Sequence, residues 1–150
     1  MSTGIPAIPR HALLACAPFS ARVGAGEVAG ALAAGLTAAG ASEPDVIELP
    51  GAAEQRELAA LLDREGFRHR MLASRAVLLA VPVLAERTLA GSAAFELATL
   101  ARQNGVPCYA VAATVGLDAF DLRLLDLQVV LRARGPRTLR KAGERLAEIV

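Results

Sequence analysis

The chain reads as an α/β protein: a doubly wound, mainly parallel five-stranded sheet with helices on both faces, a Rossmann- or flavodoxin-like three-layer sandwich. Three observations predict this. Short apolar runs alternate with helix-period segments of about 12 residues, the signature of a parallel sheet built from βαβ units. From Ala76 to Val83 the residues are continuously apolar, as a strand buried on both faces requires. The hydrophobic fraction, 54%, comes mostly from Ala, Leu and Val, with 3% aromatic residues and no Trp, and small aliphatic side chains let helices lie close against a sheet. A length of 150 residues suits one domain with one core, and no repeat, low-complexity tract or linker divides it.

Taken in order, residues 1–11, with Pro6 and Pro9, read as a loose lead-in. Ala12 to Ala17 is a first buried strand, and Pro18 to Gly26 a loop of small residues. Glu27 to Ala39 sets Val28, Leu32, Leu36 and Ala39 on one helical face, with Gly40 as C-cap. Asp45 to Leu49 is a second strand, stopped by Pro50-Gly51. Residues 52–65 form a second helix, with Leu58, Leu61 and Leu62 inward and Glu54, Arg56, Glu57, Asp63 and Arg64 outward; Gly66 ends it. His69-Arg70-Met71 is a connector into the central strand, Arg75 to Val83. A helix over 91–104 stops at Asn104-Gly105. Val106 to Ala112 is the next strand, with its proline near the start where it costs least. A short helix or turn lies within Val115 to Asp126, and Leu127 to Leu131 is the last strand. Arg134-Gly-Pro136 leads into a closing helix with Leu139, Ala142, Leu146 and Ile149 in phase, Pro136 suiting its first turn. The order is βαβαβαβ(α)βα.

Charge and cysteine usage narrow the function classes. Sixteen basic residues against 15 acidic give a net charge of +1, so no face draws in nucleic acid by counterion release, and the few aromatics leave little for base stacking. Cys16 and Cys108 each fall inside an expected strand and lack CxxC spacing, as buried free thiols of a reducing compartment do. No stretch approaches the roughly 20 apolar residues of a membrane span, and none has the form of a signal sequence. The expectation is a cytoplasmic protein with neither a membrane nor a nucleic acid as partner.

The central strand runs through a loop into a helix, which places that loop at the carboxyl edge where open α/β sheets bind ligands. Gly24-Ala-Gly-Glu-Val-Ala29 fits the dinucleotide pattern G-x-G-x-x-G/A, with Glu48 near the place of a ribose-binding acid. However, Pro18 to Val23 separate the strand from the first glycine, which weighs against NAD or FAD. The helix start still offers unpaired N–H groups, so Ser20, Arg22, Gly24 and Gly26 form a candidate anion site. His11 and His69 lack neighbours at ligand spacing, so no metal is expected. Neither a G-x-S-x-G elbow nor a G-x-x-x-x-G-K-[ST] loop occurs.

Ala17-Pro-Phe-Ser-Ala-Arg22, the helix Gly26-Glu-Val-Ala-Gly-Ala-Leu-Ala-Ala-Gly-Leu36 and Glu48-Leu-Pro50 resemble the opening of the bacterial two-domain glycerate kinases. There a strand runs into A-P-D-S-F-K, then a helix similar to E-V-A-x-A-I-x-x-G, then a strand ending L-P. Thr88-Leu-Ala-Gly91, the helix after it and Gly105-Val-Pro-Cys-Tyr-Ala-Val-Ala112 are similar to that family's D-x-Q-T-x-x-G-K segment, helix and G-V-P strand. The resemblance covers most of residues 12–150. It implies a Rossmann-like domain from which the family's inserted second domain is missing, with residues 66–74 as the junction.

The departures bear on activity. The family's first acid and lysine become Phe19 and Arg22, with Ser20 kept. Its D-G-G-E-G-T loop becomes Ala52-Ala-Glu-Gln-Arg56, and in the third loop its arginine, acid and lysine fall on Val83, Ala85 and Ser92. Phosphoryl transfer needs cations or Mg²⁺ to neutralise phosphate charge and a base to orient the nucleophile. The expectation is therefore a module without kinase activity that binds a small anion or a protein, with no cofactor. It would associate with itself or with a partner covering the surface bared by the lost domain. The alternative is a residual or split glycerate kinase using ATP and Mg²⁺, with Arg22, Glu54 and Glu86 as catalytic candidates. Arg87, Thr88, Gly91 and Ser92 would then join the first-loop residues in holding an anion or nucleotide. A second alternative is a nucleotide-binding Rossmann domain unrelated to kinases.

Overall fold

The computed structural model describes residues 11–51, 58–85 and 92–150. Their elements run β1 (Leu13–Cys16), α1 (Ala25–Ala38), β2 (Asp45–Glu48), α2 (Leu58–Arg64), α3 (Phe67–Leu72), β3 (Val77–Ala85), α4 (Ala93–Gln103), β4 (Cys108–Gly116), α5 (Ala119–Leu125), β5 (Leu127–Arg132) and α6 (Pro136–Ile149). The strands pair in the order β2-β1-β3-β4-β5, and every pairing is parallel. The chain winds one way from β1 to β2 and the other way through β3, β4 and β5, the doubly wound arrangement expected.

Alternation along each strand sorts the core into two layers. Leu13, Val77, Leu79 and Ala110 meet Leu58, Phe67, Met71, Leu97 and Leu125 from α2 to α5. Leu14, Cys16, Leu78 and Val111 meet Val28, Leu32, Leu36, Leu139 and Leu146 from α1 and α6. Cys16 and Cys108 are buried free thiols, one facing each layer, and burial pushes both pKa values up to about 12.

Local chemistry sets the element ends. Ser92 Oγ accepts from Phe95 N at 3.1 Å and starts α4; Asp118 Oδ1 accepts from Asp121 N at 2.8 Å and starts α5. Pro136 occupies the first turn of α6. Gly105, at φ 69°, reverses the chain after α4 at the expected stop.

The structure corrects two expectations. His69-Arg70-Met71 is not a connector: it lies in α3, because Phe67 and Met71, one helical turn apart, are 1% and 0% exposed and Gly66 turns the chain at φ 62°. Residues 66–74 are thus a short helix, anchored by Phe67 and Met71, and its flanking turns. The fourth strand extends to Gly116, four residues beyond Ala112, because β3 continues alongside it as far as Ala85. The second helix is described only from Leu58; residues 52–57 of that expectation lie outside the described residues.

Candidate functional site

The switch in winding direction falls between β1 and β3, and a crevice opens there at the carboxyl edge of the sheet. Its formation follows from where the strands stop. Ala17 N donates to Ala80 O at 2.8 Å, the last rung between β1 and β3. Residues 76, 78 and 80 face β1, so by alternation Pro82 faces it too, two residues past that rung. A proline inside a central strand normally forfeits a ladder bond. Here the rung removed is the one that would run from residue 82 to the Ala17 carbonyl, so the proline ends the β1–β3 ladder one residue past β1.

The crevice has a volume of about 190 Å³ and is lined by Pro18, Pro50 and Pro82 together with Ala17, Leu58, Val81 and Ser92, among others. The three prolines close β1, β2 and the β1-facing ladder of β3, and none carries an N–H. No charged residue stands among the described lining residues. Typical ligand pockets run to ~300–1,000 Å³, so this crevice suits one side chain better than a nucleotide.

The structure separates the expected site residues. Ser92 lines the crevice, but Ser20 and Arg22 do not. Ser20 Oγ accepts from Arg22 N at 3.2 Å and Val23 N at 3.1 Å, closing the loop on itself, and Arg22 points to solvent. Phe19, at the family's acidic position, packs against the α1–α6 layer. Gly24 is the N-cap of α1 and Gly26 lies in its first turn. Glu27 shares that turn, and a methyl group on Gly26 would lie 3.4 Å from Glu48 Oε1. Two carboxylates therefore already attend the positive end of α1, where an incoming anion would have to compete with them. Glu54, Glu86, Arg87, Thr88 and Gly91 lie outside the described residues. Among the described residues no three His, Cys, Asp or Glu side chains gather as a metal would require.

The sequence reading passed over the prolines as a group. Pro18 and Pro50 mark strand ends and Pro82 stands inside an apolar run, and only the parallel order brings the three to one crevice.

The strongest charged constellation stands at the opposite edge. Asp45, the first residue of β2, accepts from Arg70 of α3 through both oxygens, Nη2 at 2.6 Å and Nε at 2.8 Å. Glu65 Oε2 takes Nη1 at 3.0 Å, and the Val46 carbonyl takes Nη2 at 2.9 Å. The Arg70 hydrogen bond, and then its charge, hold the Asp45 carboxyl below the usual range despite partial burial; Asp45 in turn raises Arg70.

No protein-family model and no curated protein matches the chain. Among solved structures it is similar to a pilus assembly-related protein of Burkholderia pseudomallei, at 21% identity and a TM-score of 0.49, over 97% of this chain and 95% of that one. No function follows from a likeness at that level. Among the described residues no helix is long and apolar enough to cross a membrane.

Proposed function

We infer that this chain is a non-catalytic binding module of glycerate-kinase-like ancestry whose switch-point crevice receives an apolar side chain of a partner protein. The observation that carries this reading is the proline lining of the crevice. Two strand ends and the point where β3 leaves β1, which could have offered N–H donors to a phosphate, carry prolines instead, and Val81, Leu58 and Ala17 complete an apolar wall. A kinase needs donors, cations or metal ligands at that place. The carboxylates of Glu27 and Glu48 beside α1 weigh in the same direction, against the small-anion form of the expectation.

The test is an amide-detected NMR titration with N-acetyl-leucinamide and N-acetyl-phenylalaninamide beside ATP–Mg²⁺, glycerate and inorganic phosphate. The apolar amides are expected to shift the resonances of Ala17, Val81 and Ala93 saturably, with the phosphate compounds leaving them in place. Saturable shifts with ATP–Mg²⁺ or glycerate, and none with the apolar amides, would overturn the reading in favour of a surviving kinase site.

A further inference from the structure

The net charge of +1 conceals a strong local concentration. Arg132, Arg134, Arg137, Arg140 and Lys141 bring five cations into ten residues with no acid among them, and all five are exposed. Arg132 ends β5, Arg134 lies in the turn after it, and the other three fall in the first two turns of α6. Leu139, Ala142, Gly143 and Leu146 take the sheet-facing side of that helix, which leaves Arg137 and Lys141, four residues apart, on the solvent side. Among the described residues only Arg140 of the five has an ion pair, to Glu144 at 3.7 Å with both side chains about half exposed.

α6 carries these charges against its own dipole. No acid stands in its first turn and no base in its last, while Glu144 and Glu148 sit in its second half. Cations at the positive end of a helix are unfavourable. Thr138 Oγ1 accepts from Arg134 N at 3.0 Å and Gly135 N at 3.2 Å and so fixes the turn, which does not need the side chains of Arg134 and Arg137 to hold it. Exposed positions answer to no packing demand. Cations set there against the dipole break a local rule with no gain to this helix, as functional surfaces do.

We propose that this basic face, from the end of β5 through the first two turns of α6, binds a short acidic segment of a partner protein. The limits of the patch select that occupant. Along α6 the cations give way to Glu144 and Glu148. The strands are parallel, so α1 and α6 both start at the carboxyl edge, and there Glu27 and Glu48 attend the start of α1. A nucleic-acid backbone or an anionic bilayer carries its charge well past two helical turns and would press phosphates against those carboxylates. No aromatic residue stands between 132 and 141 to stack a base. A few carboxylates in sequence can engage the cations and stop short of the acids, and the arginine fork takes a carboxylate by two parallel bonds. The patch shares no residue with the switch-point crevice and stands whether or not the crevice binds a partner.

The experiment is fluorescence anisotropy of a labelled hexaglutamate peptide with the full chain, with unlabelled hexaglutamate, a short DNA duplex and phosphatidylserine vesicles as competitors. The native protein is expected to bind the peptide saturably, with an affinity that falls as salt is added. Unlabelled hexaglutamate should compete better, charge for charge, than the duplex or the vesicles. Arg134→Glu with Arg137→Glu should weaken binding by about tenfold or more. Arg64→Glu with Arg68→Glu makes the same change of net charge at exposed positions of α2 and α3 and should weaken it by less than about twofold. Arg137→Glu alone should raise Tm, since it sets an acid at the positive end of α6. Absence of saturable binding overturns the proposal, as does equal loss from the two charge-reversed pairs. A duplex or vesicle that competes better than the peptide overturns it in favour of an extended polyanion. Circular dichroism separates lost binding from lost fold, and Arg134→Gln with Arg137→Gln should weaken binding in the same direction without reversing charge.

Discussion

Gly35 of α1 and Gly143 of α6 touch backbone to backbone. A methyl group on Gly143 would stand 3.1 Å from Gly35 Cα and run into the Leu32 carbonyl; one on Gly35 would stand 2.9 Å from Glu144 N and run into the Arg140 carbonyl. Two helices share one face of the sheet because neither carries a side chain where they cross. Gly35→Ala and Gly143→Ala should each cost about 1–3 kcal/mol of overpacking, more than the ~1 kcal/mol alanine returns in helix propensity. Gly30→Ala on the same helix meets nothing within 4 Å and should stabilise by up to ~1 kcal/mol. Urea unfolding of the three variants checks the contrast, and equal effects at all three positions would refute it.

Asp45 and Arg70 predict an acid-sensitive increment of stability. The folded pKa of Asp45 is depressed, so its contribution is fully present above the unfolded value, around pH 4, and is lost as pH falls through the folded value. The pair is partly exposed, at 32% and 25%, which limits it to about 1 kcal/mol. Asp45→Asn should thus be less stable than the native chain at pH 7 and converge with it below pH ~4. A gap that persists unchanged at low pH would show that the aspartate acts by packing rather than charge.

Pro82 tests the argument for the crevice. Pro82→Ala should cost no more than about 1 kcal/mol, mostly through a freer unfolded chain, because the substitution removes no ladder bond. Leu78→Pro, four residues earlier and facing β1 opposite Leu14, should cost ~3 kcal/mol or more and prevent folding. Comparable stability of the two variants would mean that the ladder between β1 and β3 does not end where the geometry places it.

Cys16 and Cys108 should be silent in the native state. With both thiols buried and their pKa values near 12, thiolate is scarce at pH 8 and a disulfide reagent has no path to it. Labelling should proceed only as fast as the core opens, and should become complete in denaturant. Rapid reaction of either thiol with the folded protein would contradict its burial.

The fold was legible because the central strands are buried on both faces. Leu13–Cys16 and the start of β3 stand out as unbroken apolar runs that no amphipathic helix would show. α3 was not legible, since six residues with two arginines and a histidine span too little for a period to register. Only the spacing of Phe67 and Met71 hinted at it. The extension of β4 through Thr114 and Val115 was equally hidden, because a half-exposed strand end reads like a loop. The site was least legible of all. Ser20 and Arg22 looked like an anion cradle because the sequence could not show Ser20 spent on its own turn or Glu48 leaning over Gly26.

Arg70 has a consequence beyond the ion pair. Residues 45, 47 and 49 face β1, so the Val46 carbonyl points outward, and by occupying it Arg70 takes one acceptor of the β2 edge out of reach of an added strand. Arg70→Ala would free that carbonyl and leave the β2 edge a fuller template for strands of other molecules. A side chain that contributes little to the stability of one molecule would then decide whether many of them stay in solution.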